Sequence, residues 1–286
     1  MNAAPPAPPA GIPFLKMHGL GNDFVVLDAR SQPAARLSEA AVRAVGDRRR
    51  GVGFDQLLTV EPSARGDAFM RIHNPDGSES GACGNGTRCV AALLMEQTGR
   101  SELVIETAAG LLKARRGADG LVTVDMGEPR LDWQQIPLAR AMDTLKLDYA
   151  KGPLAAPAAV NMGNPHVVFF VPDAEAIDLP ALGPQIETDP LFPQRTNVNV
   201  ASLRADGSLR LRVWERGAGI TLACGSGACA TLVAAVRRGV ISGRSARIHL
   251  NGGPLTIEWA ADNHVLMTGP VATSFAGTLA PELVGA

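Results

Sequence analysis

Apolar and polar positions alternate along most of this chain, broken by Gly, Pro, Asn and Asp. In the first half the alternation predicts short strands at residues 24–27, 56–60, 68–73, 103–107 and 121–126. The second half repeats it at residues 167–171, 198–203, 209–214, 247–250, 255–259 and 265–268. The two strongest helix signals fall at residues 85–98, followed by Gly99, and 226–238, followed by Gly239. A glycine there supplies the left-handed residue that commonly stops a helix. Residues 90–95 and 228–236 are apolar on nearly every side, so both helices are expected to be enclosed by protein. The expectation is an α+β fold, with strand-rich units each wrapped around one central helix. The looser stretch 129–157 is the expected crossing between them.

The halves also share sequence landmarks. Ala82-Cys83-Gly84-Asn85-Gly86 returns as Ala223-Cys224-Gly225-Ser226-Gly227, and Gly21-Asn22 returns as Gly163-Asn164. Asp55-Gln56 aligns more loosely with Asn197. One period shared by several landmarks implies two similar domains made by internal duplication, each with a cysteine at the same point of its fold.

Composition narrows the class. With 46% apolar residues in 286, two domains of ordinary size can each bury a core. The 27 Lys and Arg against 28 Asp and Glu give no basic excess, so neither nucleic acid nor an anionic membrane surface is expected as a partner. No apolar run reaches the length of a membrane span and no signal-peptide order opens the chain, so a cytoplasmic protein is expected. Residues 1–13 are Ala/Pro-rich and are expected to form a disordered tail. Four cysteines are too few for a disulfide scaffold; the spacing Cys83 to Cys89 is wider than the C-x2-4-C of structural zinc sites, and Cys224 to Cys229 stands at its upper limit. No metal is expected. Cys89 and Cys229, inside the apolar runs, are expected to be small core residues.

Cys83 and Cys224 stand where helix dipoles and unpaired N–H groups favour negative charge, which is expected to lower their thiol pKa. Gly84, Asn85, Gly225 and Ser226 would offer free N–H groups to a carboxylate. Two such half-sites face to face would hold one carboxylate between two thiols. That suits proton removal on one face of the adjacent carbon and delivery on the other, with no cofactor. Asn22, Asn74, Asn164 and Asn197 are neutral donors and acceptors near turns, Arg216 can fork onto a second carboxylate, and Glu215 can accept from an ammonium. His166 is placed to tune a thiol; His18 and His73 read as packing or turn residues, and Arg48-Arg49-Arg50 as a solvated face.

The chain resembles the diaminopimelate epimerase family from about residue 14 to 275. The likeness is carried by Lys16-Met17-His18-Gly19-Leu20-Gly21-Asn22-Asp23-Phe24, Asn74-Pro75-Asp76-Gly77-Ser78-Glu79, Ala82-Cys83-Gly84-Asn85-Gly86-Thr87-Arg88 and Gly163-Asn164-Pro165-His166. Glu215-Arg216-Gly217-Ala218-Gly219 and Ala223-Cys224-Gly225-Ser226-Gly227-Ala228-Cys229 complete it. The resemblance implies two pseudo-symmetric, mixed β-barrel-like domains, one of residues 14–128 with the C-terminal residues from about 271 to 286, the other of residues 129–270. It implies a cofactor-independent homodimer interconverting L,L- and meso-diaminopimelate in lysine biosynthesis. Cys83 and Cys224 would then be the acid–base pair, with His166 and Glu215 setting their protonation. Gly84, Asn85, Gly225 and Ser226 would hold the reacting carboxylate and Glu215 the reacting ammonium, leaving Asn22, Gln56, Asn74, Asn164, Asn197 and Arg216 for the rest of the substrate.

Two positions depart from the family pattern: Ile220 replaces a usual Glu in the loop before Cys224, and Phe275 replaces a Tyr that often assists dimerisation. The competing readings are a racemase of the same fold acting on proline, hydroxyproline or histidine, and a non-catalytic redox or zinc thiol protein.

Overall fold

The computed structural model describes residues 11–31 and 36–285. Most of the expected N-terminal tail lies outside those residues. Ile12 and Pro13, assigned to the tail from composition, instead open the first strand. They do so because their backbone pairs with the C-terminal strand, Ile12 opposite Leu279 and Pro13 opposite Thr278.

The first half runs β1 (Ile12–Gly19), β2 (Asn22–Asp28), α1 (Glu39–Gly46), β3 (Gln56–Glu61), β4 (Ala68–His73), β5 (Glu79–Ser80), α2 (Gly84–Thr98), β6 (Glu102–Thr107), β7 (Gly110–Arg116) and β8 (Val122–Asp125). A small hairpin, β9 (Ala150–Lys151) and β10 (Leu154–Ala155), lies in the crossing. The second half runs β11 (Ala158–Asn161), β12 (Pro165–Phe170), α3 (Leu179–Glu187), β13 (Asn197–Leu203), β14 (Leu209–Glu215), β15 (Gly219–Ile220), α4 (Gly225–Arg237), β16 (Ser245–Leu250), β17 (Gly253–Trp259) and β18 (Val265–Gly269). Strand β19 (Ala272–Leu279) and the short helix α5 (Pro281–Val284) finish the chain.

The duplication read from the landmarks is visible in the pairing. In the first half β1–β2 is antiparallel, β2–β3 parallel, β3–β4 antiparallel, β4–β6 parallel, and β6–β7–β8 antiparallel. The second half repeats that series strand for strand from β11 to β18. Even the register agrees, with Phe24 opposite Gln56 in one half and His166 opposite Asn197 in the other. The halves join where their last strands meet, β8 against β18, with Val124 opposite Met267. β19 then returns to β1, so the C-terminal strand is hydrogen-bonded to the first half.

Helices α2 and α4 are enclosed by these sheets as their all-round apolar faces require. Val90, Leu94 and Met95 on α2 and Leu232, Val233 and Ala235 on α4 are buried in one core that crosses the seam between the halves. Gly99 ends α2 in the left-handed conformation, φ 70°. The second helix is capped by Arg238 in right-handed geometry, and Gly239, φ 65°, takes the left-handed turn one residue later.

Truncating either central helix should therefore be costly. Leu94→Ala and Leu232→Ala should each lose about 2–5 kcal/mol by urea unfolding, whereas Leu203→Ala, at a half-exposed site, should stay within about 0.5 kcal/mol. Equal losses at all three positions would contradict this placement of the core.

Candidate active site

Each thiol caps the helix that follows it. Cys83 is the N-cap of α2, with extended backbone (φ −150°, ψ 105°), and its Sγ accepts from Gly86 N–H at 3.3 Å. Cys224 caps α4 in the same way (φ −115°, ψ 103°), its Sγ accepting from Gly227 N–H at 3.4 Å. The first i to i+4 bonds are Thr87 N–H to Cys83 O and Ala228 N–H to Cys224 O. The N–H groups of Gly84, Asn85, Gly225 and Ser226 consequently have no acceptor inside their helices.

The two helix starts abut. Asn85 Nδ2 donates to Ala223 O at 3.1 Å, just ahead of Cys224, and to Asn22 Oδ1 at 3.1 Å. Met267 lies against both starts: a Cβ built on Gly84 would stand 2.7 Å from Met267 Cε and 2.8 Å from Met126 Sδ, and one built on Gly225 would stand 2.7 Å from Met267 Sδ. A side chain at either place would force these methionines to shift. Glu215, ending β14, sits close enough for its charge to act on both Cys83 and Cys224. Thr221 Oγ1 donates to Glu215, so the loop carrying Ile220 remains tied to this carboxylate although the usual Glu is absent.

Burial reverses the thiol expectation drawn from helix dipoles. Desolvation pushes Cys83 up to about 11, with the Glu215 charge adding to the rise, against smaller lowering effects from Gly86 N–H and Arg88. Cys224 is also raised well above the usual thiol range, by the same desolvation and by Glu215. Helix ends favour a thiolate, but stripping its water costs more. Cys89 and Cys229 are fully buried and raised to about 12.

The remaining expected residues form two groups. On the first half, Asn22 Nδ2 donates to Asp55 at 2.8 Å, and Gln56 Nε2 donates to Asn74 Oδ1 at 3.1 Å. Arg48, expected only as part of a solvated face, is exposed but forks onto Asp23 and Asp55 behind Asn22. On the second half, Asn197 Oδ1 accepts from Arg216 N–H at 3.0 Å, while the exposed Arg216 side chain donates to Gln194 O. Asn164 Oδ1 meets His166 Nε2 at 2.9 Å. Phe275 lies elsewhere, half-exposed on β19 with its ring edge-on to Phe14 at 6.0 Å. His18 Nδ1 accepts from Gly21 N–H in the β1–β2 turn, and His73 is buried beside Glu79.

His166 does not touch either thiol. It is fully buried, pushed down to about 3 chiefly by desolvation, and its other nitrogen meets Asn199 Nδ2 at 3.2 Å. Asn199 is a residue the sequence reading missed. Its Oδ1 has no partner, and a Cβ built on Gly227 would stand 2.7 Å from that oxygen and 3.1 Å from Cys224 Sγ. Its counterpart beside Gly86 and Cys83 is Leu58. The strand pattern itself held the signal, since Asn199 is a polar residue at an inward position of β13. Asp55 and Arg88 were missed as well; Arg88 is a charge set inside an otherwise buried helix turn, which is the anomaly that marks it.

With this geometry in view, the comparisons with known proteins converge. The sequence profile of the diaminopimelate epimerase family matches residues 14–131 and 158–274. A diaminopimelate epimerase of Rhodospirillum centenum is 63% identical over 273 residues, covering 95% of this chain and 93% of the relative. Another, of Acidiphilium cryptum, is 57% identical over 270 residues, covering 94% and 97%. Among solved structures, a Bacillus anthracis protein of the PhzF phenazine biosynthesis family superposes with TM-score 0.69 at 16% identity, covering 94% of this chain and 98% of that one. A hydroxyproline epimerase of Agrobacterium vitis, solved with trans-4-hydroxy-L-proline, gives 0.65 at 18% identity over 94% and 90%. At that identity the two structures share the fold alone.

The raised thiols fix a pH dependence. Alkylation needs the thiolate, so below its pKa the rate for Cys83 should climb about tenfold per pH unit and level off only near pH 11. Glu215→Gln, which removes the charge that raises both thiols, should speed labelling of Cys83 and Cys224 at pH 8. Mass spectrometry of the labelled peptides reads both; slower labelling in the variant would contradict the placement of Glu215.

Proposed function

The chain belongs to the diaminopimelate epimerase family and is an isomerase, and from that premise we propose that it interconverts L,L- and meso-diaminopimelate with Cys83 and Cys224 as acid and base. The observation that carries the reading is the pair of N-capping thiols on equivalent helix starts, held together by Asn85. One cysteine, as thiolate, removes the α-proton. The other, as thiol, delivers its proton to the opposite face, so each turnover leaves the two protonation states exchanged. Charge that develops at the α-carbon spreads into the carboxylate, which the N–H groups of Gly84, Asn85, Gly225 and Ser226 hold. The α-ammonium binds Glu215. Its positive charge offsets the field that otherwise raises both thiols. His166 acts on Cys224 indirectly, by orienting Asn199.

The distal ammonium and carboxylate are assigned to Asn22, Gln56, Asn74, Asn164, Asn197 and Arg216, drawn from both halves. A proline or hydroxyproline substrate would leave those groups unpaired at about 1–3 kcal/mol each where they are buried. The reaction serves lysine biosynthesis in the cytoplasm. Among the described residues no helix is long and apolar enough to cross a membrane. The working unit is a homodimer built on the exposed face of β19, where Phe275 takes the place of the family's tyrosine.

Cys83→Ala and Cys224→Ala should each reduce epimerisation by about 10²–10⁴-fold or more while leaving thermal unfolding near that of the parent protein. Near-parental turnover in either variant, followed by α-proton exchange in D2O, would remove the two-thiol mechanism. Arg216→Met should cripple turnover of diaminopimelate with both thiols intact, and the parent protein should leave proline unchanged. Comparable rates on proline would return the assignment to a racemase of broader substrate class.

A further inference from the structure

Arg88 is the largest fully buried side chain among the described residues, and no carboxylate pairs with it. Its one hydrogen bond runs from Nη1 to Met267 Sδ at 3.2 Å, a weak acceptor, while Nε and Nη2 have no partner. The guanidinium lies between two glycines: a Cβ built on Gly19 would stand 2.8 Å from Nη2, and one on Gly269 would stand 3.5 Å from Nε and Cζ. A Met or Leu of similar volume would fill this slot without leaving N–H groups unsatisfied. The fold nevertheless keeps a cation there.

Its position gives the reason. Met267, whose sulfur Arg88 touches, is the side chain that fills the space against both Gly84 and Gly225. The guanidinium therefore stands one side chain behind both helix starts. The ionisable groups facing it are thiols only: Cys83 and Cys89 from α2, and Cys229 from α4. Of the charges on the strands packed around α2, Lys113 and Arg115 of β7 and Glu102 of β6 are exposed, and others are engaged elsewhere. Lys16 of β1 pairs with Asp23, Asp125 of β8 with His264, and Arg116 of β7 donates to Ala92 O. Glu215, across the site, acts on Cys83 with the opposite sign.

We infer that Arg88 is a positioning residue for the reaction, a permanent buried cation left unpaired by the protein so that its charge is balanced by the anion that forms between the two helix starts. This rests on the two-thiol reading above. The anion is the thiolate that alkylation or substrate binding draws out, and the carboxylate with its developing α-carbanion during turnover. A fixed charge in a water-poor site needs no reorganisation when the anion appears, which is the condition under which it favours the charged state most. Arg88 touches neither substrate nor sulfur in this arrangement; it acts through Met267 and through the field.

The test uses the full chain as Arg88→Met, Arg88→Gln and Arg88→Lys beside the parent. Iodoacetamide labelling of Cys83 is followed from pH 7 to 11 by peptide mass, and kcat and KM for diaminopimelate are measured in parallel. The neutral variants should label Cys83 about tenfold or more slowly at pH 8, with the whole profile displaced to higher pH. Their kcat should fall about 100-fold or more with KM changed less than about threefold, and Arg88→Lys should recover much of both. Neutral variants with a native circular dichroism spectrum but an unchanged labelling profile would overturn the inference. Should neither neutral variant fold, a folded Arg88→Lys with a parental labelling profile supports the inference, and a folded Arg88→Lys that labels Cys83 about tenfold more slowly than the parent at pH 8 overturns it. Failure of the substrate reading is distinguishable, because the parent protein would then leave diaminopimelate untouched while Cys83 labelling still depended on the charge at position 88.

Discussion

Two helix N-termini are buried end to end where the halves of this molecule join, and the cost of removing water from those ends governs the rest of the site. Helix starts carry unpaired N–H groups, so burying two of them demands acceptors. Part of the demand is met internally: each cysteine sulfur takes one N–H, and Asn85 ties the first start to the Ala223 carbonyl ahead of the second. The N–H groups left over have no acceptor within their helices, and Arg88, behind Met267, is a further buried donor without a counter-charge.

Burial also keeps the thiols protonated in the free protein. The helix dipole and the N–H bonds to sulfur work against desolvation and lose, at both Cys83 and Cys224. Under the proposed function, an ammonium at Glu215 and a carboxylate at the helix starts would change the balance of charge around both sulfurs, making binding and activation one event.

The duplication repeated the backbone more faithfully than the chemistry. Phe24 and Leu58 hold the strand positions in the first half that His166 and Asn199 hold in the second, with Leu58 packed at Gly86 and Asn199 at Gly227. One thiol therefore faces hydrocarbon on that side and the other faces a buried amide oxygen without a donor. Equivalent positions in a pseudo-symmetric pair need not carry equivalent loads, and the asymmetric residues are the ones a two-step proton transfer between unlike faces can use.

Much of this was legible in the chain itself. Period-two alternation placed the inner strands, all-round apolarity marked α2 and α4 as enclosed helices, and the repeated Cys-Gly motif located both thiols, because each of these signals is local and one residue's neighbours decide it. The signals failed where partners are remote in sequence. Strands β1 and β19 owe their pairing to each other across the whole chain, the thiols owe their raised pKa to atoms that folding brings around them, and His166 turned out to reach Asn199 instead of a sulfur. Arg88 was the sharpest case: its sequence announces a charged residue in a helix, and only the packing of α2 against β1 and β18 makes it a buried cation with no counter-ion. Local pattern fixes which elements form and which face they bury. Desolvation and charge pairing are sums over everything nearby, and what is nearby is decided by the tertiary fold.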